Sequence, residues 1–139
     1  MTVGAEQYPV AETDPAAGAA GRMPYLPLTV SVGPRSVAVS GLLDTGAAVS
    51  VLPYSAGVQL GAAWEQQTIP LRLTGNLAAI EARALLVNAT VGRFLPVRLA
   101  FAWARIDGVP VILGQTNFFL EFDVCFFRSR STFEVRPRP

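Results

Sequence analysis

Asp44-Thr45-Gly46 is the place in this sequence where residue types and spacing could do chemistry. The carboxylate follows Leu42-Leu43 and precedes Ala47-Ala48-Val49, so it stands in a strongly apolar stretch. Burying an unpaired carboxylate is costly, so a lone one in that setting needs a reason, and a candidate general acid or base is one. The tripeptide alone is weak: at ordinary residue frequencies it occurs in roughly one chain of this length in several tens, more often as a turn than as a catalyst. Asp14, Asp107 and Asp123 lack the Thr-Gly context. Asp107, beside Gly108, reads as a turn residue, and Asp123 as a strand-surface or ion-paired one.

Missing residue types narrow the chemistry further. With no histidine in the chain, Ser-His and Cys-His nucleophiles and every His-containing zinc site are excluded. The lone Cys125 cannot form an internal disulfide or a Cys-only zinc site, and reads as a small buried strand residue. Neither a metal nor a cofactor is expected. A formal net charge of +1 leaves no footprint for nucleic acid or an anionic membrane surface. All eleven basic residues are arginine, and the group near the C-terminus reads as a solvated strand edge. No apolar run is long enough to span a membrane and no targeting segment is seen, so a soluble, cytoplasmic protein is expected.

At 139 residues, 51% hydrophobic and 15% charged, the chain suits one domain with a real core. Residues 1–22 are rich in Ala, Gly and Pro without periodicity, and read as a flexible arm; the domain is expected over 23–136. Leu28, Val30 and Val32, then Gly33-Pro34-Arg35, then Val37 and Val39 predict a β-hairpin whose second strand runs into Asp44. A short strand over 49–52 and a helical turn after Pro53 follow. Residues 68–73 and 80–87 predict a second hairpin around Thr74-Gly75-Asn76. Further strands are expected over 94–101, 111–114, 122–127 and 132–135, with one helix over 115–121 capped by Thr116 or Asn117. Trp64 and Trp103 read as core or pocket-wall residues, and Asn88-Ala89-Thr90 as a chance sequon. Many short strands with little helix predict a compact all-β domain.

Leu43-Asp44-Thr45-Gly46-Ala47, the segment 73–79, and Ile112-Leu113-Gly114 opening a helix resemble, in combination, the retropepsin-like aspartic proteases: the retroviral type and its cellular and bacterial relatives. The resemblance spans residues 24–135. It implies a single-domain closed β-barrel with one short C-terminal helix, a flap hairpin and a two-fold homodimer. It implies an endopeptidase that needs no cofactor and acts on a polypeptide, with Asp44 as the catalytic carboxylate of each chain. Paired carboxylates share one proton and activate a water, the established chemistry of aspartic proteases as a class. By the same resemblance Thr45 would lock the two active-site loops, Gly46 and Ala47 would meet the substrate backbone, and Thr74, Gly75 and Asn76 would tip the flap. Leu52, Leu77, Trp103, Ile106 and Val109 would wall the pocket. Viral members often carry an acidic residue where Ala48 stands. A module of this fold that binds peptide or dimerises without cleaving is the alternative.

Overall fold

The computed structural model describes residues 4–12 and 15–139; the parts of the expected arm at 1–3 and 13–14, with Asp14, lie outside the described residues. In chain order the strands begin with β1 (Glu6–Pro9), β2 (Ala11–Glu12), β3 (Arg22–Met23), β4 (Tyr25–Val32), β5 (Arg35–Leu43) and β6 (Ser50–Leu52). Helix α1 (Tyr54–Gln59) precedes β7 (Pro70–Leu71), β8 (Ala82–Thr90), β9 (Val97–Ala104) and β10 (Val111–Leu113). Helix α2 (Phe118–Glu121), β11 (Phe122–Phe127) and β12 (Thr132–Pro137) complete the chain.

The expected first hairpin forms, with Val32 opposite Arg35 and Gly33-Pro34 between them. The main sheet runs β4-β5-β10-β6-β9-β8-β7, and pairing of β4 with β8 closes all but β7 into a barrel. β10 lies between β5 and β6, parallel to the first and antiparallel to the second. This insertion places residue 113 beside the end of β5, where Asp44 begins.

Alternation along the strands gives the barrel wall two unlike faces. On β9, Leu99, Phe101 and Trp103 enter the main core, while Ala102 and Ala104 join a smaller cluster with Val51, Leu73 and Ala82. Large side chains fill one face, and alanines leave room on the other. Val51 and Leu73 of that smaller cluster also line the pocket described below.

Several expectations need correction. The stretch read as an arm is not structureless where it is described: β1 pairs antiparallel with β12, and Tyr8 stacks on Phe133 at 5.4 Å between ring centroids. An aromatic with a buried partner on a neighbouring strand outweighs the polar composition around it. Cys125 is exposed, not buried, because β11 forms the edge of the three-stranded β1-β12-β11 sheet and Phe122 takes the inward place. The strand expected over 94–101 runs over Val97–Ala104: Pro96 offers no ladder donor, and Phe94 turns inward against Phe122. The helix expected over 115–121 is one turn, Phe118–Glu121, because the residues before it hydrogen-bond elsewhere.

Candidate active site

Asp44 closes β5, and its position is set by main-chain bonds on both sides. Its N–H donates to the Leu113 carbonyl at 3.0 Å, and its own carbonyl accepts from Ala47 N–H at 3.1 Å. The tight turn that results points Gly46 N–H back at the carboxylate, where it donates to Oδ1 at 3.0 Å. A main-chain donor on one oxygen orients the carboxylate and, among the described residues, leaves the other free.

The loop after Asp44 is sewn to the chain after β10. Gln115 N–H donates to the Ala47 carbonyl at 2.8 Å, Thr116 N–H to Ala48 at 3.0 Å, and Ser50 N–H to the Thr116 carbonyl at 3.2 Å. Side chains complete the seam: Gly114 N–H donates to Ser50 Oγ, and Gln115 Nε2 donates to the Thr45 carbonyl at 2.8 Å. A Cβ on Gly114 would stand 2.5 Å from the Val49 carbonyl oxygen and 2.8 Å from that of Ala47. Only glycine permits this approach. Asn117, expected as a helix cap, instead bridges to β9, accepting from Ala100 N–H and donating to the Arg98 carbonyl. Its side chain anchors the far side of the seam.

A partly enclosed pocket of about 190 Å³ opens beside Asp44. Gly46, Ala47, Ala48 and Val49 line it from the loop, Val51 and Ile112 from β6 and β10, and Arg72, Leu73, Thr74 and Leu77 from the segment after β7. Asp44, Gly46, Ala47, Thr74 and Leu77 are thus brought together. Thr45 is exposed on the loop outside the pocket. A larger hollow of about 500 Å³, around Tyr8, Thr29 and Ser40 on the outside of the barrel, contains no acidic side chain.

The remaining expected residues fall elsewhere. Leu52 and Trp103 are fully buried in the main core, because period two sends Val51 to the pocket face and Leu52 with its paired Trp103 to the other. Trp103 stacks on Tyr54 and donates its indole N–H to the Tyr54 carbonyl. Ile106 is exposed, and Val109 packs on the second cluster without lining the pocket. The expected flap strands shrink to β7 and the start of β8 at Ala82, joined by a 3-10 turn at Gly75–Leu77. Pro70 lacks a donor, and Leu73, Leu77 and Ile80 fold into the second cluster where an extended tip would have carried them away from it. Gly75 and Asn76 are exposed and lie outside the pocket lining.

Ser50, Gln115 and Arg72 are site residues that sequence reading missed. A serine amid Val49, Val51 and Leu52 was the available signal for Ser50, since a buried hydroxyl needs a partner. Gln115 and Arg72 gave none. Among the described residues, no group of three or more His, Cys, Asp or Glu could hold a metal ion, and no helix is long and apolar enough to cross a membrane.

Neither a protein-family model nor a curated protein matches the sequence. Solved structures do. A retropepsin-like aspartic protease from Rickettsia conorii matches 96% of this chain and 92% of its own, with a TM-score of 0.62 and 15% identity. The retroviral protease-like domain of Ddi1 from Leishmania major matches 84% of this chain and 94% of its own, with a TM-score of 0.59 and 15% identity. The chain therefore has the retropepsin-like all-β fold, the architecture of aspartic-type proteases.

Proposed function

We propose that two copies of this chain form an aspartic endopeptidase with Asp44 as the catalytic residue of each. The setting of Asp44 carries this reading: an oriented carboxylate at a partly enclosed pocket, on a loop pinned to residues 113–116, in a fold shared with aspartic proteases. Asp44 is the one acidic residue lining the pocket. A two-fold axis passing beside the exposed loop supplies the second, the partner's Asp44.

Two carboxylates so placed share a proton. The ionised one takes a proton from a water as the water oxygen attacks the peptide carbonyl carbon. The neutral one hydrogen-bonds the developing oxyanion, and a proton passes to the amide nitrogen as the C–N bond breaks. In this reading Thr45 meets the partner loop, Gly46 and Ala47 face the substrate backbone, and the segment from Arg72 to Leu77 covers it. Thr74 and Leu77 then touch the substrate, while Gly75 and Asn76 form the outer rim.

The test is Asp44→Asn. An amide still accepts from Gly46 N–H but cannot take a proton from water, so hydrolysis of a peptide library falls by roughly 10³-fold or more while the circular dichroism spectrum is kept. Wild-type rates in Asp44→Asn protein refute the assignment. Peptide binding without cleavage by the wild type points instead to a module that holds peptides and leaves them intact.

A further inference from the structure

The pocket beside Asp44 is lined by one other charged residue, Arg72. A guanidinium stays protonated at any working pH. Three of the other arginines form ion pairs: Arg83 with Glu81, Arg93 with Glu6, Arg138 with Glu121. Among the described residues Arg72 has no ion-pair or hydrogen-bond partner. It forms no ion pair with Asp44 across the pocket they share, which leaves each group available to something else.

The main chain holds Arg72 at this place. Leu73 is 5% exposed in the second cluster and Leu71 packs against the same cluster, so the backbone between them is fixed while the Arg72 side chain remains exposed. The same lining presents apolar Val49, Val51, Leu77 and Ile112 together with the polar Thr74. A planar guanidinium matches a carboxylate bidentately, and because Arg72 is exposed its attraction is moderated by water and salt. An acidic substrate side chain entering here meets Asp44 as well, so a cation is needed to offset that repulsion.

Building on the protease reading, we propose that Arg72 makes this pocket selective for peptides with an acidic side chain close to the bond that is cleaved. The test uses peptides blocked at both ends, in matched sets with Glu, Gln or Lys at each position near the cleaved bond. Cleavage is measured with the wild type, and binding by fluorescence anisotropy with Asp44→Asn protein, which does not depend on catalysis. At one position or more, Glu is expected to exceed Gln by about tenfold in both measurements. Arg72→Gln brings that ratio to about one, Arg72→Glu turns the preference to Lys, Arg72→Lys restores part of it, and added salt weakens it. Circular dichroism checks that each variant is folded.

A Glu-to-Gln ratio near one at every position in the wild type overturns the proposal. So does a ratio unchanged in Arg72→Gln, an absence of binding to any Glu peptide, or a preference seen only when the C-terminal carboxylate is left free. Acid-selective, Arg72-dependent binding without cleavage by the wild type leaves the acid selectivity of the pocket standing and removes the protease reading. Cleavage without acid preference does the reverse.

Discussion

Asp44 and Asp107 each accept a main-chain N–H, and their surroundings separate their roles. Asp107, read from the sequence as a turn residue, accepts from Ser55 N–H at 2.9 Å in the first turn of α1, while the neighbouring Ile106 carbonyl accepts from Tyr54 N–H. It ties a distant turn to a helix start. The hydrogen bonds from Ser55 hold its carboxyl below the ordinary value of 3.8. A lowered folded-state value means a stabilising contribution that is fully present above that ordinary value and is lost as pH falls through the folded one. Asp107→Asn protein is therefore expected to be less stable than wild type at neutral pH. The gap should close as the pH is taken below 3.8. Urea midpoints measured across pH check this, and a gap constant from neutral to strongly acidic pH would sink it. If the proposed protease reading holds, cleavage should survive Asp107→Asn and not Asp44→Asn.

Among the elements, the seam between the Asp44 loop and the chain after β10 sets the geometry of the site. Gly114→Ala forces a methyl group into two backbone carbonyls, which cannot rotate away as a side chain can. A loss of about 1–3 kcal/mol is expected by chemical denaturation, with peptide cleavage reduced further because the loop that carries Asp44 must shift. Gly57 is a similar case in α1, where a Cβ would stand 2.2 Å from the Trp103 ring. The terminal sheet gives a different test. Tyr8→Ala removes the ring stacked on Phe133 and should cost about 2 kcal/mol, which an arm without contacts could not produce. Equal denaturation midpoints for Tyr8→Ala and wild type would restore the arm reading.

For the whole molecule, the question is how many chains make a site. If each chain contributes one carboxylate, specific activity should fall on dilution below the dimer dissociation constant and recover with a substrate-like inhibitor. A ninefold excess of Asp44→Asn chains should reduce activity per wild-type chain to about a tenth, because random pairing leaves few wild-type dimers. Sedimentation run beside the peptide assay checks both. Full specific activity from a sedimenting monomer rules out a two-chain mechanism. The region 23–136 was read as the domain; β1 and its pairing with β12 lead us to propose that the folding unit begins near Glu6.

Sequence alone reached the all-β class, the first hairpin and the place of Asp44 at a strand end, because each follows from local pattern: period-two alternation, turn residues, and a charge in an apolar run. It also marked Thr74 and Leu77 within the segment that lines the pocket. It could not say which face of each strand looks into the pocket. Leu52 and Val51 differ by one residue, and only the placement of β6 between β10 and β9 sends Val51 to the pocket and Leu52 to the core. Trp103 went the way of Leu52 for the same reason. Gln115 and Arg72 were silent, and the partner of Ser50 could not be read, because their meaning lies in neighbours far along the chain, such as Gly114 N–H on Ser50 Oγ. The strand β1 was hidden by its composition until β12 gave it a partner. Local pattern names a candidate residue; long-range pairing decides what surrounds it, because neighbours in a barrel are set by strand order and not by sequence distance.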